Sequence, residues 1–84
     1  METYDEFINN ILNTRGRFAC GDEYHERHHI VPRCCGGTND PENLIDLYAK
    51  EHFIAHRLLC IKYPDNRSLA TAALLMAIWK PGSQ

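Results

Sequence analysis

The 84-residue chain has no apolar run long enough to cross a membrane. Its longest candidate, Leu69 to Trp79, is broken by Thr71 and falls short of the ~20 residues a spanning helix needs. No basic leader is expected either. The first residues, Met-Glu-Thr-Tyr-Asp-Glu, are acidic where a secretory signal would be positively charged, so a cytoplasmic protein is expected. Its four cysteines, Cys20, Cys34, Cys35 and Cys60, form no CxxC pair. That spacing argues against a zinc knuckle or a disulfide framework, and reduced thiols are expected. There are no internal repeats, low-complexity runs or linkers, and 84 residues leave room for one domain over 1–84. A basic surplus is also missing. With 9 Lys and Arg against 11 Asp and Glu, the net charge of −2 is not that of a protein gripping nucleic acid unaided.

What is present reads as an ordinary globular mix, 44% hydrophobic and 24% charged. A domain this small buries a modest fraction of its surface, so a bound metal would help hold it together. Thr3 to Arg15 reads as a helix: Thr3 and Glu6 can form a capping box, and Tyr4, Phe7, Ile8, Ile11 and Leu12 share one stripe. Gly16 suits the left-handed position after it. Tyr24 to Val31 reads as a strand stopped by Pro32. Cys34 to Asn43, with Gly-Gly, Asn-Asp and Pro, reads as a loop, and Leu44 to Leu47 as the return strand. Ala49 to Tyr63 is expected to be a second helix, turning Phe53, Leu58, Leu59 and Ile61 inward. Asn66 or Ser68 can cap a third, running through Leu69, Ala72, Ala73, Met76 and Trp79 to a stop at Pro81-Gly82. The order helix, strand, loop, strand, helix, helix is α+β. Its expected units are 1–23 (helix and connection), 24–63 (core) and 64–84 (C-terminal helix).

All five histidines lie between positions 25 and 56. His28 and His29 are adjacent at a strand end, so their side chains should leave opposite faces. His52 and His56 are four apart on a helix, so they project from one face a turn apart, a good two-point metal clamp. A third imidazole from the neighbouring strand would complete a three-histidine site with open positions, the pattern of a catalytic metal.

Glu26-Arg27-His28-His29-Ile30-Val31-Pro32, then Gly36-Gly37, Asn43-Leu44 and Glu51-His52-Phe53-Ile54-Ala55-His56 resemble the HNH (ββα-metal) endonuclease motif. The likeness is greatest to small phage and intron-encoded homing endonucleases. The nuclease domains of the DNase colicins share the Glu-x-His-His start and the two-histidine helix. The resemblance covers about Tyr24 to Asn66. It implies a ββα-metal core flanked by an N-terminal and a C-terminal helix, cutting DNA, with double-stranded DNA the expected substrate. By matching position it implies His29 as general base, and His28, His52 and His56 as ligands of one divalent metal. Asn43 would tie the loop so that the base points at the phosphate. Glu26 would orient its neighbours, through an arginine.

Three imidazoles would hold Zn²⁺ or Ni²⁺ most tightly, with Mg²⁺ or Mn²⁺ candidates for supporting cleavage. Arg33, Arg27, Arg57 and Lys62 are the candidate phosphate contacts, Arg33 first because the loop after the base strand faces the scissile phosphate in this family. Relatives continue into DNA-binding modules, whereas this sequence stops at Gln84. A homodimer or a partner protein is a candidate source of DNA affinity, and no membrane contact is expected. The alternative reading is a non-catalytic HNH-derived binding or inhibitor module of phage origin, which would have no need of His29.

Overall fold

In the computed structural model, which describes residues 2–78, Thr3 opens helix α1 (Tyr4–Thr14) with a reciprocal cap. The Thr3 hydroxyl accepts the Glu6 N–H at 3.2 Å, and the Glu6 carboxylate accepts the Thr3 N–H at 2.9 Å. The apolar stripe faces inward as its spacing predicts: Tyr4, Ile8 and Ile11 are buried, with Phe7 and Leu12 packed beside them. Gly16 sits at φ 101°, a backbone region that strains any side chain, and its N–H reaches back to the Ile11 carbonyl.

Strands β1 (His25–His29) and β2 (Leu44–Tyr48) pair antiparallel in the register His25–Tyr48, Arg27–Asp46 and His29–Leu44. β1 is shorter than the run to Val31 suggested. After His29 the ladder gives way to other bonds: the Ile30 N–H goes to the Asn43 carbonyl at 2.8 Å, and Val31 is held by the Asn43 side chain. Ile45 and Leu47 of β2 enter the core. Asp46, between them, points to the other face yet is also buried, because the connection after α1 closes over it. Its N–H donates to the Arg17 carbonyl at 2.8 Å, and the Arg17 guanidinium bonds the carbonyls of Glu42 and Leu44.

Helix α2 (Ala49–Lys62) starts at Tyr48, whose N–H donates to the Glu51 carboxylate at 3.0 Å. Arg15 holds the same carboxylate from the end of α1, at 2.8 Å. The inward face of α2 carries His52, Ala55, His56 and Leu59, spaced at one to two turns. That corrects part of the expected core. Leu59 is buried and Leu58 packs beside it, but Ile61 is 57% exposed and Phe53 lies outside the core cluster. The reason is angular: at about 100° per residue, Ile61 falls half a turn away from His52. Histidines that face the sheet force those apolar positions outward.

Asn66, rather than Ser68, caps α3 (Arg67–Ile78), its side-chain oxygen accepting the Leu69 N–H at 3.1 Å. Leu69 is buried, Ala72, Ala73 and Met76 are half-buried, and Leu74, Leu75 and Ile78 are exposed. Trp79 and the stop at Pro81-Gly82 lie outside the described residues. Among the described residues no helix is long and apolar enough to cross a membrane.

Candidate metal centre and active site

The two-residue period of β1 puts Glu26 and His28 on one face, and that face looks onto α2. The four-residue spacing in α2 sets His52 and His56 on the side that faces the strand. The result is a cluster in which each of His28, His52 and His56 offers a ring nitrogen within 4.8 Å of the others. The ring centroids stand 4.8–5.2 Å apart, edge to face. His28 is only 3% exposed. Burial, then the neighbouring imidazoles, push its pKa down to about 2. The same causes push His56 down to about 4, against a weaker opposing effect of Glu26. Both rings are therefore neutral at cellular pH, the state in which imidazole binds a cation.

The bonds on the remaining nitrogens decide which lone pairs face inward. His52 Nδ1 donates to Glu26 Oε1 at 2.8 Å, which leaves Nε2 as its lone-pair nitrogen. Glu26 Oε2 accepts the Tyr24 hydroxyl at 2.6 Å. Burial pushes the Glu26 carboxyl up, but the hydrogen bonds from Tyr24 and His52 outweigh it and hold it below the usual value. The expected arginine does not mediate this among the described residues: Glu26 bonds Tyr24 and His52 directly. His28 Nε2 lies 2.7 Å from the Tyr4 hydroxyl. His56 Nδ1 is buried with no hydrogen-bond partner among the described residues. A buried nitrogen left alone costs about 1–3 kcal/mol, and a cation is a partner that the neutral His28 and His56 rings can accept. The donor set fits a divalent metal.

His29 leaves the strand away from this cluster. Its Nε2 donates to the Asn39 side-chain oxygen at 2.7 Å, so Nδ1 carries the free lone pair. Asn43 does not touch the cluster. Its Oδ1 accepts the Val31 N–H at 2.8 Å, and its Nδ2 donates to the carbonyls of Val31 and Thr38 at 3.1 and 2.8 Å. One side chain thus spans the neck of the loop. Gly37 permits that approach, since a Cβ there would run into the Val31 carbonyl and crowd the Asn43 amide.

An open cleft of about 300 Å³ joins these parts, lined by His28, His29, His52, His56, Arg27, Pro32 and Arg33. Arg33 is exposed at its rim and makes no ion pair with any described residue. Arg27 lines the cleft, but its guanidinium is held by Asp46 at 3.0 Å and lies over the Phe18 ring. Arg57 is outside the cleft lining, stacked over Phe53, and Lys62 is paired to Asp5. Sequence reasoning missed Tyr4, Asn39 and Asp46. Tyr4 read as one more apolar stripe residue and Asn39 as a turn former. Asp46 interrupting Leu44-Ile45-Leu47 was the one available signal of a buried charge.

The depressed imidazoles make the metal-free fold acid-sensitive. An unfolded chain takes up these protons near pH 6.5, while the folded chain resists until about pH 4 for His56 and about 2 for His28. The unfolded state binds more protons across that window, so stability should fall as pH drops below about 6.5. Urea unfolding of metal-free protein at pH 7 and pH 5 checks this. Equal midpoints would contradict the burial of these rings.

Two antiparallel strands and a helix presenting three histidines around one point define a ββα-metal module. The HNH endonuclease family profile matches residues 15–57, about half of the chain, and the chain belongs to the HNH endonuclease family. It is similar to the probable mobile endonucleases E, D and B of Enterobacteria phage T4. It is 46% identical to E over 61 residues, covering 73% of this chain and 43% of that protein. For D the identity is 44% over 61 residues, covering 67% and 23%, and for B it is 38% over 84 residues, covering 100% and 31%. The chain thus spans less than half the length of these curated relatives. No solved structure matches it.

Proposed function

We propose that this chain is a metal-dependent endonuclease module that hydrolyses phosphodiester bonds in double-stranded DNA, with residues 24–63 as its nuclease core. The observation that carries the reading is a three-histidine cluster sharing one cleft with a fourth, non-coordinating histidine whose Nδ1 lone pair is free. His28, His52 and His56 would hold one divalent ion, with Zn²⁺ or Ni²⁺ bound most tightly and Mg²⁺ or Mn²⁺ able to support cleavage. When bound, that ion supplies Lewis-acid stabilisation of the phosphate and of the departing 3′ oxygen. His29 Nδ1 takes the proton from the attacking water as the water oxygen bonds to phosphorus and the P–O3′ bond breaks. Asn39 holds the opposite nitrogen of His29, and Asn43 holds the loop that carries Asn39. Glu26 orients His52. Arg33, exposed at the rim, is the first phosphate contact in this reading; Arg27 is second, because Asp46 already engages it.

The net charge of −2 supports a supplementary source of DNA affinity, through a second copy or a partner protein. It also favours a second reading, a non-catalytic binding module of the same fold. Plasmid nicking with protein in excess over DNA, run across Zn²⁺, Ni²⁺, Mg²⁺ and Mn²⁺ with a chelator control, separates the two. Metal-dependent nicking supports the enzyme, and its absence with every metal sinks that reading in favour of the binding module.

A further inference from the structure

Tyr4 lies on α1, outside the segment matched by the family, yet its hydroxyl reaches the three-histidine cluster. The phenol is buried and sits between two groups: the Ile30 carbonyl at 2.6 Å and His28 Nε2 at 2.7 Å. A phenol has one proton to give. An ordinary phenol keeps that proton at neutral pH. The Ile30 carbonyl has no proton and can only accept, so the Tyr4 proton goes there. The hydroxyl oxygen must then accept from His28, and Nε2 of His28 must carry a hydrogen. That leaves Nδ1 as the lone-pair nitrogen of the ring.

We propose that Tyr4 is a positioning residue for the metal site, locking His28 in the Nε2–H tautomer and so making metal affinity depend on the docking of α1. This rests on the metal reading given above. Histidines that ligate metals commonly donate their second N–H to a fixed acceptor, and losing that acceptor typically lowers affinity about ten- to a hundred-fold. His52 has such an acceptor in Glu26, within the core. Among the described residues His28 finds its own only in the N-terminal helix, whose buried Tyr4, Ile8 and Ile11 hold it against the sheet and α2.

The test has two arms on the full chain. In the first, ¹⁵N-edited spectra of the imidazole nitrogens report the His28 tautomer in metal-free wild type. A hydrogen on Nε2 is expected, and a hydrogen on Nδ1 overturns the proposal without any variant. In the second, Zn²⁺ affinity is measured by chelator competition for wild type, Tyr4→Phe and Ile8→Val. The last variant weakens the same helix by removing one core methylene and leaves the hydroxyl in place. Tyr4→Phe is expected to bind Zn²⁺ ten- to a hundred-fold more weakly, while Ile8→Val stays within about threefold of wild type. Equal loss in both variants means that affinity merely follows helix stability, and overturns the role of Tyr4. Wild-type affinity in Tyr4→Phe overturns it too. Wild type that takes up no Zn²⁺ overturns the metal reading and this proposal together, whereas binding by wild type with no loss in Tyr4→Phe overturns this proposal alone.

Discussion

His29→Ala is expected to slow DNA cleavage by about a hundred- to ten-thousand-fold, the usual worth of a positioned general base. Zn²⁺ affinity and melting temperature should stay close to wild type. The separation follows from where the ring sits. His29 is outside the three-histidine cluster, and among the described residues its ring bonds to Asn39 in the loop, so its removal leaves the cluster and the core cluster intact. The measurement is single-turnover nicking of supercoiled plasmid, beside chelator-competition affinity and thermal melts on the same preparations. A His29→Ala variant that cuts at the wild-type rate would remove His29 from the base role. A variant that loses metal as well as activity would make it a ligand instead.

The opposite pattern is expected of His56→Ala. Removing one of three ligands should abolish tight Zn²⁺ binding, cleavage and the thermal stabilisation by metal together. Binding to the folded state alone stabilises it by about 2.7 kcal/mol at a hundred times Kd, so wild type should melt at a higher Tm with Zn²⁺ than with chelator. The variant should show no such difference. Metal-free His56→Ala should not be much weaker than metal-free wild type. The substitution opens a small void, but it also deletes a buried nitrogen that has no partner among the described residues, on a ring that resists protonation. Retained Zn²⁺-dependent stabilisation in this variant would show that the clamp does not need His56.

These two variants together separate the enzyme from a binding module. A module that works through protein contacts loses nothing when His29 becomes alanine, whereas an endonuclease loses its proton acceptor and keeps its fold. Metal-dependent stability by itself cannot make that distinction, because a structural ion would serve either one.

The parts of this protein that depend on short-range spacing were legible in its sequence. Thr3 and Glu6 are three apart and cap α1; Gly16 takes a positive φ; His52 and His56 are four apart and share a face of α2. Local geometry decides each of these, because backbone periods and caps act within a turn or two. The adjacency of His28 and His29 likewise foretold one ring toward the cluster and one away. Phe53 and Ile61 were misjudged for a related reason: both are apolar, but the inward face of α2 was already taken by the histidines. What the sequence could not display were the pairings between residues far apart in the chain. Tyr4 meets His28, Glu26 meets His52, Arg27 meets Asp46, and Asn43 bridges to Val31, across separations of 12 to 26 positions. A tyrosine in an apolar stripe carries no mark of where its hydroxyl will point. Only the docking of α1 against the sheet turns that hydroxyl onto a ring nitrogen. The histidines and their spacing belong to the sequence, and the contact between Tyr4 and His28 belongs to tertiary packing, because it forms only when α1 docks across the core.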